Sequence, residues 1–145
     1  MNYGSLKMQS IPLLSETVQT SERTQMVDIT ERIAKLVRQN KVADGFLIIH
    51  VPHTTAGVTM NEHADPDVQH DVITKLSTLI PQMENYYQHD EGNSDAHVKT
   101  SYVGNSLTVL VDGGKLVLGR WQGIFFCEFD GPRERRVNVK IVGLA

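Results

Sequence analysis

Six histidines occur in 145 residues, and three of them stand where metal or acid–base chemistry is conceivable. His89 and His97 bracket the acidic stretch "YYQHDEGNSDAHVKT", and His53 opens "PHTTAG" directly after an apolar run. Neutral imidazole is a good ligand for zinc and other first-row divalent ions. Three histidines with one open position make a catalytic rather than a structural centre. His89 and His97 are eight residues apart, too far for the pair one helical turn apart seen in HExxH sites. A loop running into a helix start therefore has to bring them together. Glu91 and Asp95 would then orient the imidazoles or act as acid and base. A plainer reading stays open. Pro52, Thr54, Thr55 and Gly57 also spell a turn, and the acidic stretch a hydrated loop.

Other residues have competing uses. Glu62, with Asn61 beside it, lies off any apolar-periodic run and is a candidate acid or base. Asp65, Asp67 and His63 fit a helix start, where negative charge is favoured. His50 reads as a hydrogen-bonded core histidine and His70 as solvent-facing. In "EFDGPRERR" an arginine after a tight turn, Arg133, is placed to grip a phosphate or carboxylate with its fork. Arg133, Arg135 and Arg136 equally read as a solvated strand edge. Trp121 reads as a core or subunit-contact residue, and Cys127 as a small buried hydrophobe. "DGGK" has the wrong spacing for a phosphate loop and reads as a turn.

The elements that must position these residues follow from periodicity. Ser5 to Gln19 reads as one or two strands bent at Pro12. Ile29, Ile33, Leu36 and Val37 share one helical face, with Asp28 as cap and Glu31 closing a box. "GFLIIHV" reads as a buried strand. A second helix starts at Asp65 and Pro66, carries Val68, Val72, Leu76, Leu79 and Ile80, and stops at Pro81. "SDAHVKTSYVG" predicts a short helix capped by Ser94 or Asp95 and ended by Gly104. "SLTVLV" and "KLVLG" flank a hairpin turn at Asp112-Gly113-Gly114-Lys115. "WQGIFFCEF" and an alternating strand with Val137, Val139 and Ile141 on one face follow. Strands outnumber helices without alternating with them. The expected class is α+β, β-rich with mixed or antiparallel sheets, two main helices and a short third, in a single domain over residues 1–145.

The bulk numbers set bounds. A net charge of −3 gives no general nucleic-acid surface. One cysteine cannot form an internal disulfide, which suits a reduced, cytoplasmic setting. No apolar run approaches the roughly 20 residues of a membrane helix, so no membrane partner is expected. "MNYGSLKMQS" lacks the blocks of a signal peptide.

"VPHTTAGVTMNE", "HDEGNSDAHVK" and "SLTVLVDGGKLVLGRWQGIFFCEFDGPR" together resemble the YjbQ family, the small proteins often labelled secondary thiamine-phosphate synthases. The likeness runs across nearly the whole chain. It implies a homotrimer with a histidine-lined metal site. Position by position it makes His53, His89 and His97 the metal ligands. The metal is most often zinc, with magnesium an option beside a pyrophosphate substrate. Thr55, Asn61, Asn93, Glu128 and Arg133 become substrate-binding residues, and Glu62, Glu91 and Arg133 catalytic ones. The implied activity is a transferase joining a pyrimidine pyrophosphate to a thiazole phosphate, with metal and Arg133 stabilising the departing charge. The alternatives are a trimeric metal-containing accessory protein that binds a phosphorylated small molecule, or a zinc-dependent hydrolase of a phosphorylated metabolite. Arg120 departs from the family's usual threonine before Trp-Gln.

Overall fold

Alternating hydrophobicity builds the larger sheet. The computed structural model describes residues 8–144, so the first three residues of the strand expected from Ser5 lie outside the described residues. Strand β9 (Glu134–Leu144) is the hub, with Val137, Val139 and Ile141 all fully buried. It pairs antiparallel with β4 (Asp44–His50) on one side and with β1 (Met8–Ser10) and β2 (Leu14–Gln19) on the other. Strand β4 in turn pairs with β6 (Ser106–Asp112), which turns into β7 (Lys115–Leu116). Gly113 and Gly114 take φ of 54° and 74°, the two positive angles that a two-residue hairpin of matching twist requires. The expected strand over "KLVLG" is cut to its first two residues.

A three-stranded antiparallel sheet of β3 (Gln25–Asp28), β8 (Gln122–Glu128) and β5 (Ala56–Glu62), in the order β3-β8-β5, packs against the first. Between the sheets lies the main core, with Leu47, Ile49, Ile124 and Phe126 joined by Ile33, Leu36 and Val37 of helix α1 (Thr30–Gln39). Strand β8 is central, and its opposite face is covered as well. Phe125, Cys127 and neighbouring Phe129 make a smaller core with Ala96. Cys127 is buried as expected, and burial pushes its thiol up to about 12.

Three expectations need correction. Strand β4 is covered on one face only, so Phe46 and Ile48 face outward, as does His50, which lies exposed 3.5 Å from Asn138 rather than in the core. At α1 the cap position falls on Ile29. Asp28 instead accepts from the Thr30 N–H at 2.9 Å, and Glu31 pairs with Arg38 instead of closing a box. Helix α2 (Pro66–Leu79) starts as expected, with Asp65 accepting from the Asp67 N–H and Pro66 in the first turn. It buries none of its residues. Helix α3 (Ser94–Val103) has Asn93, not Ser94 or Asp95, at its cap position, and ends at Gly104 as expected. Among the described residues the result is the expected single-domain α+β fold, with antiparallel sheets and three helices. No described helix is long and apolar enough to cross a membrane.

Candidate functional site

Three segments meet at one end of the smaller sheet: the link from β4 to β5, the start of α3, and the turn from β8 to β9. They bound a polar cavity of about 530 Å³. Among its walls are His53, Thr55, Glu91, Asn93, His97 and Arg133, six residues that sequence reasoning had singled out.

The floor is a buried ion pair. Arg135 donates from Nε to Glu128 at 2.8 Å and from Nη2 to the other Glu128 oxygen at 2.6 Å. Its Nη2 also donates to the Thr55 hydroxyl at 2.9 Å. The Thr20 hydroxyl and the Asp130 N–H complete the shell of Glu128. Burial pushes the Glu128 carboxyl up, but the Arg135 hydrogen bonds and the other donors together outweigh it, so its pKa falls below the ordinary value. Glu128 and Thr55 therefore brace the cavity from within. Glu128 is fully buried with both oxygens occupied, which corrects its reading as a residue facing a ligand.

A second buried pair fixes α3. Asp95 is fully buried and receives both Arg23 guanidinium nitrogens, at 3.0 and 2.9 Å, and the Lys99 ammonium at 2.9 Å. These donors overcome the burial penalty and hold its carboxyl below its usual range. One residue pair closes the ring, as Asn93 donates to Asp130 at 2.9 Å and so ties the helix start to the β8–β9 turn. Arg133 stands on that turn, half-exposed. It donates from Nε to the Asp130 carbonyl at 2.7 Å and from Nη2 to the Asp130 carboxylate at 2.8 Å. Its Nη1 has no partner among the described residues.

The imidazoles are arranged differently from the expected trio. His53 accepts the Arg136 N–H on Nε2 at 3.0 Å. Burial, and then the charge of Arg135, hold its pKa below the ordinary value, which favours the neutral ring. His97 meets His89 edge to face, with centroids 5.3 Å apart. His89 is 3.5 Å from Glu91 and belongs to an adjoining cavity lined by Tyr86 and Tyr87, which His97 shares. Among the described residues, no group of three His, Cys, Asp or Glu side chains is placed to hold a metal ion. Within one chain His53, His89 and His97 do not close on a point, so the donor set expected for zinc or magnesium does not fit there.

Asn61 and Glu62 are the clearest displacement. They lie at the far end of β5 from Thr55, roughly 20 Å along an extended strand. Glu62 is thus not an acid or base for this cavity within one chain. Sequence reasoning missed Arg135, read there as strand edge. The signal was present: the alternation that turns Val137, Val139 and Ile141 inward turns Arg135 inward too, and a buried arginine requires a carboxylate. His63 and Trp121 lie elsewhere. His63 pairs with Asp28 at 3.0 Å, and Trp121 is half-exposed beneath the Arg120 guanidinium.

The family model described as "UPF0047 protein YjbQ-like" matches residues 15–144. A UPF0047 protein of Methanocaldococcus jannaschii is 54% identical over 90% of this chain and 94% of its own. UPF0047 protein YugU of Bacillus subtilis is 44% identical over 87% and 96%. A YjbQ/UPF0047 protein of Clostridium acetobutylicum, solved by crystallography, superposes with a TM-score of 0.86 at 48% identity, covering 88% of this chain and 98% of that one. A protein of unknown function from Sulfolobus solfataricus gives 0.89 at 32% identity, covering 94% and 99%. These names carry no reaction. They overturn the thiamine-phosphate synthase expectation, and with it the metal-dependent transferase, the metal-containing accessory protein and the zinc-dependent hydrolase. Family membership stands on its own: this chain belongs to the YjbQ-like UPF0047 family, whose name specifies a fold and a set of relatives rather than an activity.

Proposed function

We propose that the chain binds a small polar molecule bearing a phosphate or carboxylate group, in the cavity between His53, His97 and Arg133. The observation that carries this reading is the state of Arg133. Asp130 fixes its guanidinium through Nε and Nη2, while Nη1 is unpartnered among the described residues on the cavity wall. A pre-set fork of this kind loses little freedom when it takes an oxyanion. The start of α3, where no side chain caps the helix, adds the favourable end of a helix dipole beside it. Glu91 and Asp130 line the same space, so the ligand that fits also carries hydroxyl or amino groups for them. No reaction is part of the reading.

Calorimetry with inorganic phosphate, glycerol phosphate, glycerate and glycerol tests it. The anionic compounds are expected to bind and glycerol not to. Arg133→Ala is expected to weaken the anions by roughly 10- to 100-fold, the loss of a charge-assisted hydrogen bond. Equal affinity in wild type and Arg133→Ala would sink the assignment.

Self-association as a homotrimer belongs to the same proposal. Its support is the outer face of the larger sheet, where exposed Phe46 sits opposite exposed Leu110, with exposed Ile48 two residues along. Sedimentation of wild type and Phe46→Lys checks it. A monomeric wild type at high micromolar concentration removes it.

A further inference from the structure

A further cavity, of about 270 Å³, lies on the other side of the smaller sheet, beneath α2. Its roof is Val72, Ile73 and Leu76 of α2, and its floor includes Met26, Cys127 and Phe129. None of the side chains lining it carries a charge. The roof is thin: this helix of 14 residues buries none of them, and half-buried Leu76 packs against the core of Phe125, Cys127 and Phe129. At the edge stand Thr59 and Asn61, two residues apart on β5 and so on one face of the strand. Asn61 is exposed at the rim. Its side-chain Oδ1 accepts the Glu62 N–H at 2.8 Å, while its Nδ2 and the Thr59 hydroxyl have no protein partner among the described residues and are free to meet a ligand.

We infer that this cavity is a second ligand site, for a small uncharged molecule with an apolar body and one hydrogen-bond acceptor. Walls without charge cannot offset the desolvation of an ion, so charged ligands are excluded. An apolar cavity of about 150 Å³ already accommodates a single ring, so this one has room for a ring with a polar substituent. The acceptor on that substituent meets the Asn61 amide. Asn61 thereby gains a use that the histidine cavity, at the other end of β5, does not give it. The inference is independent of the anion reading, since the two cavities share no lining residue.

Methyl-resolved NMR of the full chain, titrated with cyclohexanone and separately with cyclohexanecarboxylate, decides it. Cyclohexanone is expected to shift the methyl signals of Val72, Ile73, Leu76 and Met26 saturably, and the carboxylate to leave them in place. Asn61→Ala is expected to weaken cyclohexanone by roughly 2- to 10-fold, the worth of one neutral hydrogen bond. Leu76→Trp fills the cavity and is expected to abolish the shifts, with Val72→Phe as the second filling variant should the first not fold. Absence of saturable shifts in wild type, persistence of the shifts in a folded filling variant, or equal binding of the carboxylate overturns the site.

Discussion

Strand β5 ends in two cavities built on opposite principles. At Ala56 the surroundings are charged and over-determined: Arg135 and Glu128 lock together beneath the cavity, and Arg23, Asp95 and Lys99 lock α3 beside it. At Asn61 the cavity walls carry no charge and are roofed by a helix with no fully buried residue. The first arrangement holds side chains in one geometry, because every buried charge has its partners. The second leaves volume that dispersion and burial do not fill. Polar recognition needs fixed donors, whereas an apolar cavity needs only room, so the buried charge is concentrated where aim matters.

The largest way to break this comparison is to remove one partner of the floor pair. Arg135→Met leaves Glu128 buried without its main counter-charge. The expected loss is about 3–5 kcal/mol of unfolding free energy. Urea denaturation measures it. The double variant Arg135→Met, Glu128→Leu is expected to recover much of that loss, because a buried pair replaced by apolar groups is often close to neutral. A loss below about 1 kcal/mol in the single variant would mean that water reaches Glu128 and that the floor is not locked.

Acid sharpens the same contrast. Glu128 and Asp95 both have pKa values lowered in the folded chain. Such groups bind fewer protons folded than unfolded. Their contribution is present above the unfolded carboxylate pKa, about 4, and is lost as pH falls through the folded values. His53 acts in the same direction at higher pH, since its lowered pKa makes stability fall as pH drops from about 6.5 towards the folded value. The urea midpoint is therefore expected to fall on acidification in two steps. The Arg135→Met, Glu128→Leu double variant should flatten the lower one. An unchanged acid profile in that variant would place the sensitivity on other carboxylates.

Much of this was readable in the sequence, and the failures have physical causes. Strand β9, the Gly113-Gly114 hairpin and the Asp65-Pro66 helix start depend on local rules, so local sequence reveals them. The apolar run of β4 does not reveal whether one face or both are covered, so the run alone misplaces exposed His50 in the core. The gathering of His53, Asn93, His97 and Arg133 is legible as a set of motifs, yet the exclusion of Glu62 is not. An extended strand carries a residue roughly 3.3 Å further with each step, so nearness in sequence to His53 meant separation in space. Arg135 was hidden by its neighbours. In an arginine-rich stretch the strand's phase distinguishes inward Arg135 from Arg136, and the start of the strand at Glu134 distinguishes it from Arg133 on the turn.

The smallest expected effect tests the loose side. Leu76 is half-buried on α2 and already borders open volume. Truncating a core side chain costs its transfer energy plus a term for the new void, and the void term is small where a void already exists. Leu76→Ala is thus expected to cost about 1 kcal/mol or less, whereas Ile141→Ala in the closed main core is expected to cost about 2–5 kcal/mol. Urea unfolding of both variants, with equal slopes, makes the comparison. Similar losses at the two sites would show α2 to be as tightly packed as the main core. The contrast between a braced polar end and a yielding apolar one would then fail at its second term.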